Sequence, residues 1–146
     1  MREISTEIEI NAPTAKVWAI LTDIENWSNW SPIIKNASGS AALGSKLSIT
    51  MCGKNDNAGP KYEPIITAFD EPTLFAWRAT MMNGLLFTNG KIFDLIETES
   101  GTALTHKETF SGLMVPMMWN QMKMGVPIML NSMNLALKEK AEKTSD

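Results

Sequence analysis

Leu104-Thr105-His106-Lys107-Glu108-Thr109-Phe110 is the stretch on which the fold turns. Side chains along a strand point alternately to the two faces of a sheet. Leu104, His106, Glu108 and Phe110 therefore share one face, and Thr105, Lys107 and Thr109 the other. The first face is apolar with an imidazole and a carboxylate set into it. Ionisable groups persist on an inner face only when paired or wet, so the pattern predicts a lined chamber rather than a filled core.

Working outward, Thr98-Glu99-Ser100-Gly101 reads as a four-residue loop. It pairs Leu95 with Leu104, Phe93 with His106 and Lys91 with Glu108, which places a cross-strand ion pair on the inner face. The preceding turn has two readings. A two-residue Asn83-Gly84 hairpin turns Lys91 and Phe93 outward. A three-residue loop, Met82-Asn83-Gly84 with Gly84 left-handed, pairs Trp77 with Asn89 and Phe75 with Lys91. The second is preferred because one register then satisfies three strands.

After the strands comes the longest helical pattern, Val115 to Lys143. Met118, Met122, Gly125, Met129, Met133 and Ala136 recur at four- and three-residue steps and form an apolar stripe, with Asn134 one residue off it. Pro127 cannot donate to the carbonyl of Lys123, which predicts a kink or a break there. Eleven methionines are the compositional oddity, and seven fall between Met114 and Met133. Methionine fills irregular gaps and lines surfaces that adapt to their partners. Ordinary core filling is the alternative, and a cavity on one side of the helix decides between them.

The N-terminal part is simpler. Arg2 to Ile10 alternates, with Ile4, Thr6, Ile8 and Ile10 on one face, and Asn11-Ala12-Pro13 stops it. Val17, Ile20, Leu21 and Ile24 have helical spacing, and Asp23 reads as the cap of a second short helix carrying Trp27 and Trp30. Between Ile33 and Phe110 short strands follow one another, including Lys46 to Met51 and Tyr62 to Phe69, with a polar loop from Gly53 to Gly59. The order predicts an α+β chain in one domain, 1–146: a strand, two short helices, an antiparallel meander giving about seven strands in all, and one long helix.

Composition narrows the function. At 146 residues, with 44% hydrophobic and 20% charged residues, the chain can bury a real core. A net charge of −3 without clustered Lys or Arg gives no footprint for nucleic acid. Cys52 and His106 are the only residues of their kinds, so neither a disulfide nor a Cys/His metal site is expected. No apolar run reaches membrane-spanning length and the N-terminus lacks a signal-peptide core, so a cytoplasmic protein without stable membrane insertion is expected. No motif calls for a cofactor.

Ile10-Asn11-Ala12-Pro13 through Val17-Trp18, Leu21-Thr22-Asp23 and Trp27-Ser28-Asn29-Trp30 resembles the opening of START-like helix-grip proteins of the SRPBCC superfamily. More narrowly, it resembles the polyketide cyclase/dehydrase and lipid-transport branch. Phe87 to Gly112 and Met133-Asn134-Leu135-Ala136-Leu137-Lys138 are similar to that branch's later strands and final helix, while Ser38 to Pro72 carries least of the likeness. Lys91, where relatives commonly have histidine, and Pro127 depart from the pattern. The resemblance implies a curved antiparallel sheet gripping the C-terminal helix around an apolar tunnel.

The expected function is binding or transport of a small-to-medium hydrophobic ligand, whether lipid, aromatic or polyketide-like. Its expected contacts are Trp30, Phe75, Trp77, Lys91, Phe93, His106, Glu108, Phe110, Met118, Met122, Met129 and Met133. The alternative is a cyclase/dehydratase-type enzyme in which His106 and Glu108 transfer protons. For any one tryptophan, core packing is the usual role.

Overall fold

Alternation of isoleucine with glutamate builds β1 (Arg2–Ile10), and Pro13 then opens α1 (Thr14–Leu21). The structure, a computed structural model, describes residues 1–81 and 83–143, apart from the side chain of Asp56. A 3₁₀ turn at Ile24–Asn26 leads into α2 (Trp27–Trp30). Asp23 stands at the start of that turn but caps no backbone N–H; its carboxylate accepts from the Asn26 side-chain amide instead. The remaining strands and α-helix are β2 (Ile34–Ser38), β3 (Ser48–Cys52), β4 (Ala58–Tyr62), β5 (Ile65–Asp70), β6 (Leu74–Met81), β7 (Phe87–Thr98), β8 (Gly101–Ser111) and α3 (Val115–Glu142), with a second 3₁₀ turn at Lys54–Asp56.

All pairing is antiparallel, in two sheets ordered β1-β8-β7-β6-β5 and β2-β3-β4. Among the described residues the strands number eight, where about seven are expected. Pro64 explains the difference. It has no N–H for a ladder, so the run expected as one strand from Tyr62 to Phe69 divides into β4 and β5. β4 pairs with β3 and β5 with β6, while the Pro64 carbonyl accepts from Leu47 N. The polar loop after β3 is also shorter than expected, because Ala58 and Gly59 already belong to β4.

The β7–β8 register is the expected one, with Leu95 opposite Leu104, Phe93 opposite His106 and Lys91 opposite Glu108. The β6–β7 register differs. Met81 pairs with Phe87, and Trp77 faces Lys91 while Phe75 faces Phe93. Met82, in the expected three-residue loop, lies outside the described residues. Gly84 is not left-handed; the Asn83 side-chain oxygen instead receives the N–H groups of Leu85 and Leu86. A shift of two leaves every side chain on its expected face. At the far end of β8, Gly112 has φ +120, and a Cβ there would lie 2.3 Å from the Leu86 carbonyl oxygen. Only glycine lets the chain pass so close on its way into α3.

α3 runs unbroken through Pro127. The lost backbone bond falls to Lys123 O, and Lys123 lies on the solvent side. Gly125 is exposed rather than part of the inner stripe; Leu130, Met133, Asn134, Leu137 and Ala141 are buried, while Met117, Met124 and Ile128 face outward. The helix packs on β1, with further contact to α1 and β8. Its last turns are tied down by Lys138, which donates to Glu9 O, and by Glu142, which receives Asn11 N. The Lys138 hydrogen bond in particular holds the Glu142 carboxyl below its ordinary range.

Two apolar clusters fill the grip. The larger gathers Trp18, Trp27, Phe75, Trp77 and Phe93, with Trp27 donating its indole N–H to Leu21 O at 2.9 Å. The smaller holds Ile4, Phe87, Phe110, Val115 and Leu130. At the junction of β8 with α1, fully buried Thr102 donates to Ala12 O and meets the Thr14 hydroxyl. Thr102→Val leaves a buried carbonyl without its donor and is expected to lower the unfolding free energy by about 1–2 kcal/mol, measured by urea denaturation.

Candidate functional site

The inner face of β7 and β8 presents Asn89, Lys91 and Phe93 beside His106, Glu108 and Phe110. Lys91 Nζ lies 2.7 Å from Glu108 Oε2 and 2.9 Å from His106 Nε2. An ammonium group only donates, so Nε2 accepts and the ring proton sits on Nδ1. Nδ1 then donates to Asn134 Oδ1 at 2.8 Å, and the Asn134 amide donates to Thr6 Oγ1 at 2.9 Å. The Thr6 hydroxyl closes the circuit on the His106 carbonyl at 2.8 Å. β1, β7, β8 and α3 each supply a member. Phe93 stacks on the imidazole with ring centroids 4.2 Å apart.

Burial above all, and the Lys91 charge next, push the His106 pKa well below its ordinary value, against a smaller opposing effect of the Asn134 hydrogen bond. The ring is neutral at pH 7, with both nitrogens engaged. Its Nε2 is filled by a cation, so it has no free lone pair with which to take a proton from a bound molecule.

Glu108 marks the boundary between this network and a cleft of about 290 Å³. Met51, Cys52, Pro60, Tyr62 and Met81 form one side, Met118, Met122, Val126 and Met129 of α3 the other, and Phe87, Asn89, Glu108 and Phe110 the floor. The Tyr62 hydroxyl is held in its protonated form, mainly by burial and further by the Glu108 charge.

Of the residues expected to contact a ligand, Glu108, Phe110, Met118, Met122 and Met129 line this cleft. The others do not. Phe75, Trp77 and Phe93 belong to the larger core cluster, as does Met133. Trp30 edges a separate surface depression with Lys16 and Asp23. Lys91 and His106 sit behind Glu108, 4% and 0% exposed. The physical reason is that Trp27 packs against Trp77 and Phe93 and fills the end of the grip that a tunnel would have needed.

Sequence reasoning left out Tyr62 and Asn89 as cleft residues, and Thr6 and Asn134 as members of the His106 network. Asn89 was visible in the alternation with Lys91. Asn134 and Thr6 were polar interruptions of apolar faces, the same signal that singled out His106. Among the described residues no group of His, Cys, Asp and Glu is placed to hold a metal ion, and no helix is long and apolar enough to cross a membrane.

Similarity to known proteins agrees with this architecture. A search of curated proteins finds no match. A START superfamily protein from Mycobacterium smegmatis superposes with a TM-score of 0.78 at 19% identity, covering 98% of this chain and 99% of that one. A protein from Mesorhizobium loti gives 0.74 at 18% identity, covering 99% and 100%. The di-domain ARO/CYC protein StfQ of the steffimycin biosynthetic pathway gives 0.79 at 9% identity, with 96% of this chain matched to 50% of that one. At such identities these likenesses speak for the fold. Residues 1–142 match the family described as polyketide cyclase / dehydrase and lipid transport, and the chain belongs to that family.

Proposed function

We propose that the protein binds a small hydrophobic molecule in the cleft between α3 and the strands that carry Met51, Tyr62 and Met81. The observation that carries this reading is the cleft's wall: an apolar cavity of about 290 Å³ in which five methionines, Met51, Met81, Met118, Met122 and Met129, surround a floor of two phenylalanines with a carboxylate and an amide. Ligand sites are concave and mostly apolar, with a few placed polar groups, and this volume lies near the small end of their range. Methionine side chains re-pack around varied shapes at little cost, which suits a ligand rather than a fixed core. The filled aromatic cluster, including Phe75, Trp77 and Phe93, acts as the rigid back of the site.

Binding is the reading the geometry favours over proton transfer, because His106 reaches the cleft only through Glu108 and its Nε2 is already occupied. The neutral dye N-phenyl-1-naphthylamine tests it by fluorescence. It is expected to bind at one site, and Met122→Trp, which places an indole in the cleft, is expected to weaken it at least tenfold while leaving the thermal midpoint within a few degrees. Equal binding by wild type and variant would locate the ligand elsewhere and end the proposal. Native mass spectrometry of the freshly purified protein is expected to show a bound small mass that the variant lacks.

A further inference from the structure

The polar groups of the cleft point to the chemistry of the ligand's head, an inference that rests on the binding reading above. Glu108 has two carboxylate oxygens. Oε2 is taken by Lys91 at 2.7 Å, whereas Oε1 has only a long contact, 3.4 Å, from the Asn89 amide nitrogen. That nitrogen also donates to Thr109 O at 3.2 Å, so the Asn89 amide is held with its nitrogen toward β8. Its oxygen has no hydrogen-bond partner among the described residues. A carboxylate oxygen offers about two lone-pair directions and an amide oxygen the same, so both atoms retain capacity to accept. Lys91, the neighbouring cation, is absent from the cleft wall and is spent on Glu108 and His106.

We propose that the bound molecule carries a hydrogen-bond donor at its polar end, a hydroxyl, a phenol or an amine, received by Glu108 Oε1 and Asn89 Oδ1, and that the same floor rejects carboxylate-headed ligands. A donor reaching Glu108 gains a charge-assisted bond inside an apolar wall, where such bonds are strongest. A carboxylate brought to the same place meets a like charge and two acceptors, with its own solvation lost, while the Tyr62 hydroxyl of the wall is turned to Met51 Sδ at 3.6 Å. The selectivity therefore separates alcohols and amines from fatty or aromatic acids of the same skeleton.

One naphthalene skeleton with four heads tests this by calorimetry on the whole chain at pH 7: 2-naphthol, 2-(aminomethyl)naphthalene, 2-methoxynaphthalene and 2-naphthoate. The first two are expected to bind about tenfold more tightly than the methyl ether, the change a single bond to a charged acceptor produces, and the naphthoate most weakly. If the naphthoate binds as tightly as 2-naphthol, the head-group assignment is overturned while the cleft remains a binding site. If the ether matches the naphthol, the floor accepts nothing and the assignment is overturned as well. If none of the four binds, the binding reading falls and takes this inference with it.

Discussion

Lys91→Met is expected to cost about 3–5 kcal/mol of unfolding free energy, the scale seen when one member of a buried ion pair is removed. Lys91 is 4% exposed and Glu108 7%, so the carboxylate left behind cannot regain full hydration. Two partners lose their donor at once: Glu108 Oε2 and His106 Nε2. The imidazole then has an unsatisfied acceptor in a site with no exposure, which adds to the cost. Methionine has nearly the length of lysine, so the effect is one of charge and hydrogen bonding rather than of volume. Urea denaturation measures it, and the double variant Lys91→Met/Glu108→Met is expected to recover a large part, because apolar replacement of a whole buried pair is far less costly than halving it. A loss under about 1 kcal/mol in the single variant would mean that water reaches the pair freely.

That pair was legible in the sequence because strand alternation and one turn fix it. Lys91 faces Glu108 whatever the rest of the sheet does, provided Glu99 and Ser100 form the turn. The β6–β7 connection was less legible, since Asn83 can serve several loop lengths, yet the error of two residues preserved the faces. Parity is robust where register is not.

The position of the cleft was not legible, and the reason is volume. An inner face bearing Phe75, Trp77, Phe93 and His106 reads the same whether large side chains from elsewhere cover it or leave it open. Trp27, fully buried from α2, covers it. The cleft lies instead where β4 and β3 meet the first half of α3, and β4 contains Gly59 and Pro60, residues that carry no strand signal. Tyr62 and Met51 are therefore placed by long-range packing alone. Asn134 is a different case. An apolar helix face is more than 100° wide, so a residue beside Met133 belongs to it, and the amide there had to be paired.

The same pairing makes stability depend on pH in a direction that follows from His106. Its folded pKa lies well below the ordinary histidine value, first because of burial and then because of the Lys91 charge, whereas in the unfolded chain it titrates near 6.5. Below about pH 6.5 the unfolded chain therefore binds a proton that the native protein refuses. Stability rises with pH wherever the unfolded state holds more protons, so here it is lost as pH falls through that value. With one proton at stake the limiting slope is about 1.4 kcal/mol per pH unit. No other histidine contributes in this window. The groups facing the ring from the surrounding elements are Thr6 of β1, Lys91 of β7 and Asn134 of α3, with Glu108 next along β8, so acidification offers no new anion to shelter an imidazolium. Urea denaturation at half-unit steps from pH 5 to pH 8 is expected to show a plateau above pH 7 and a decline below it. His106→Gln, whatever its absolute stability, is expected to flatten the decline between pH 5.5 and pH 6.5. A wild-type profile already flat across that interval would mean that the folded protein takes up the proton too, with Lys91 displaced from Nε2 to admit it.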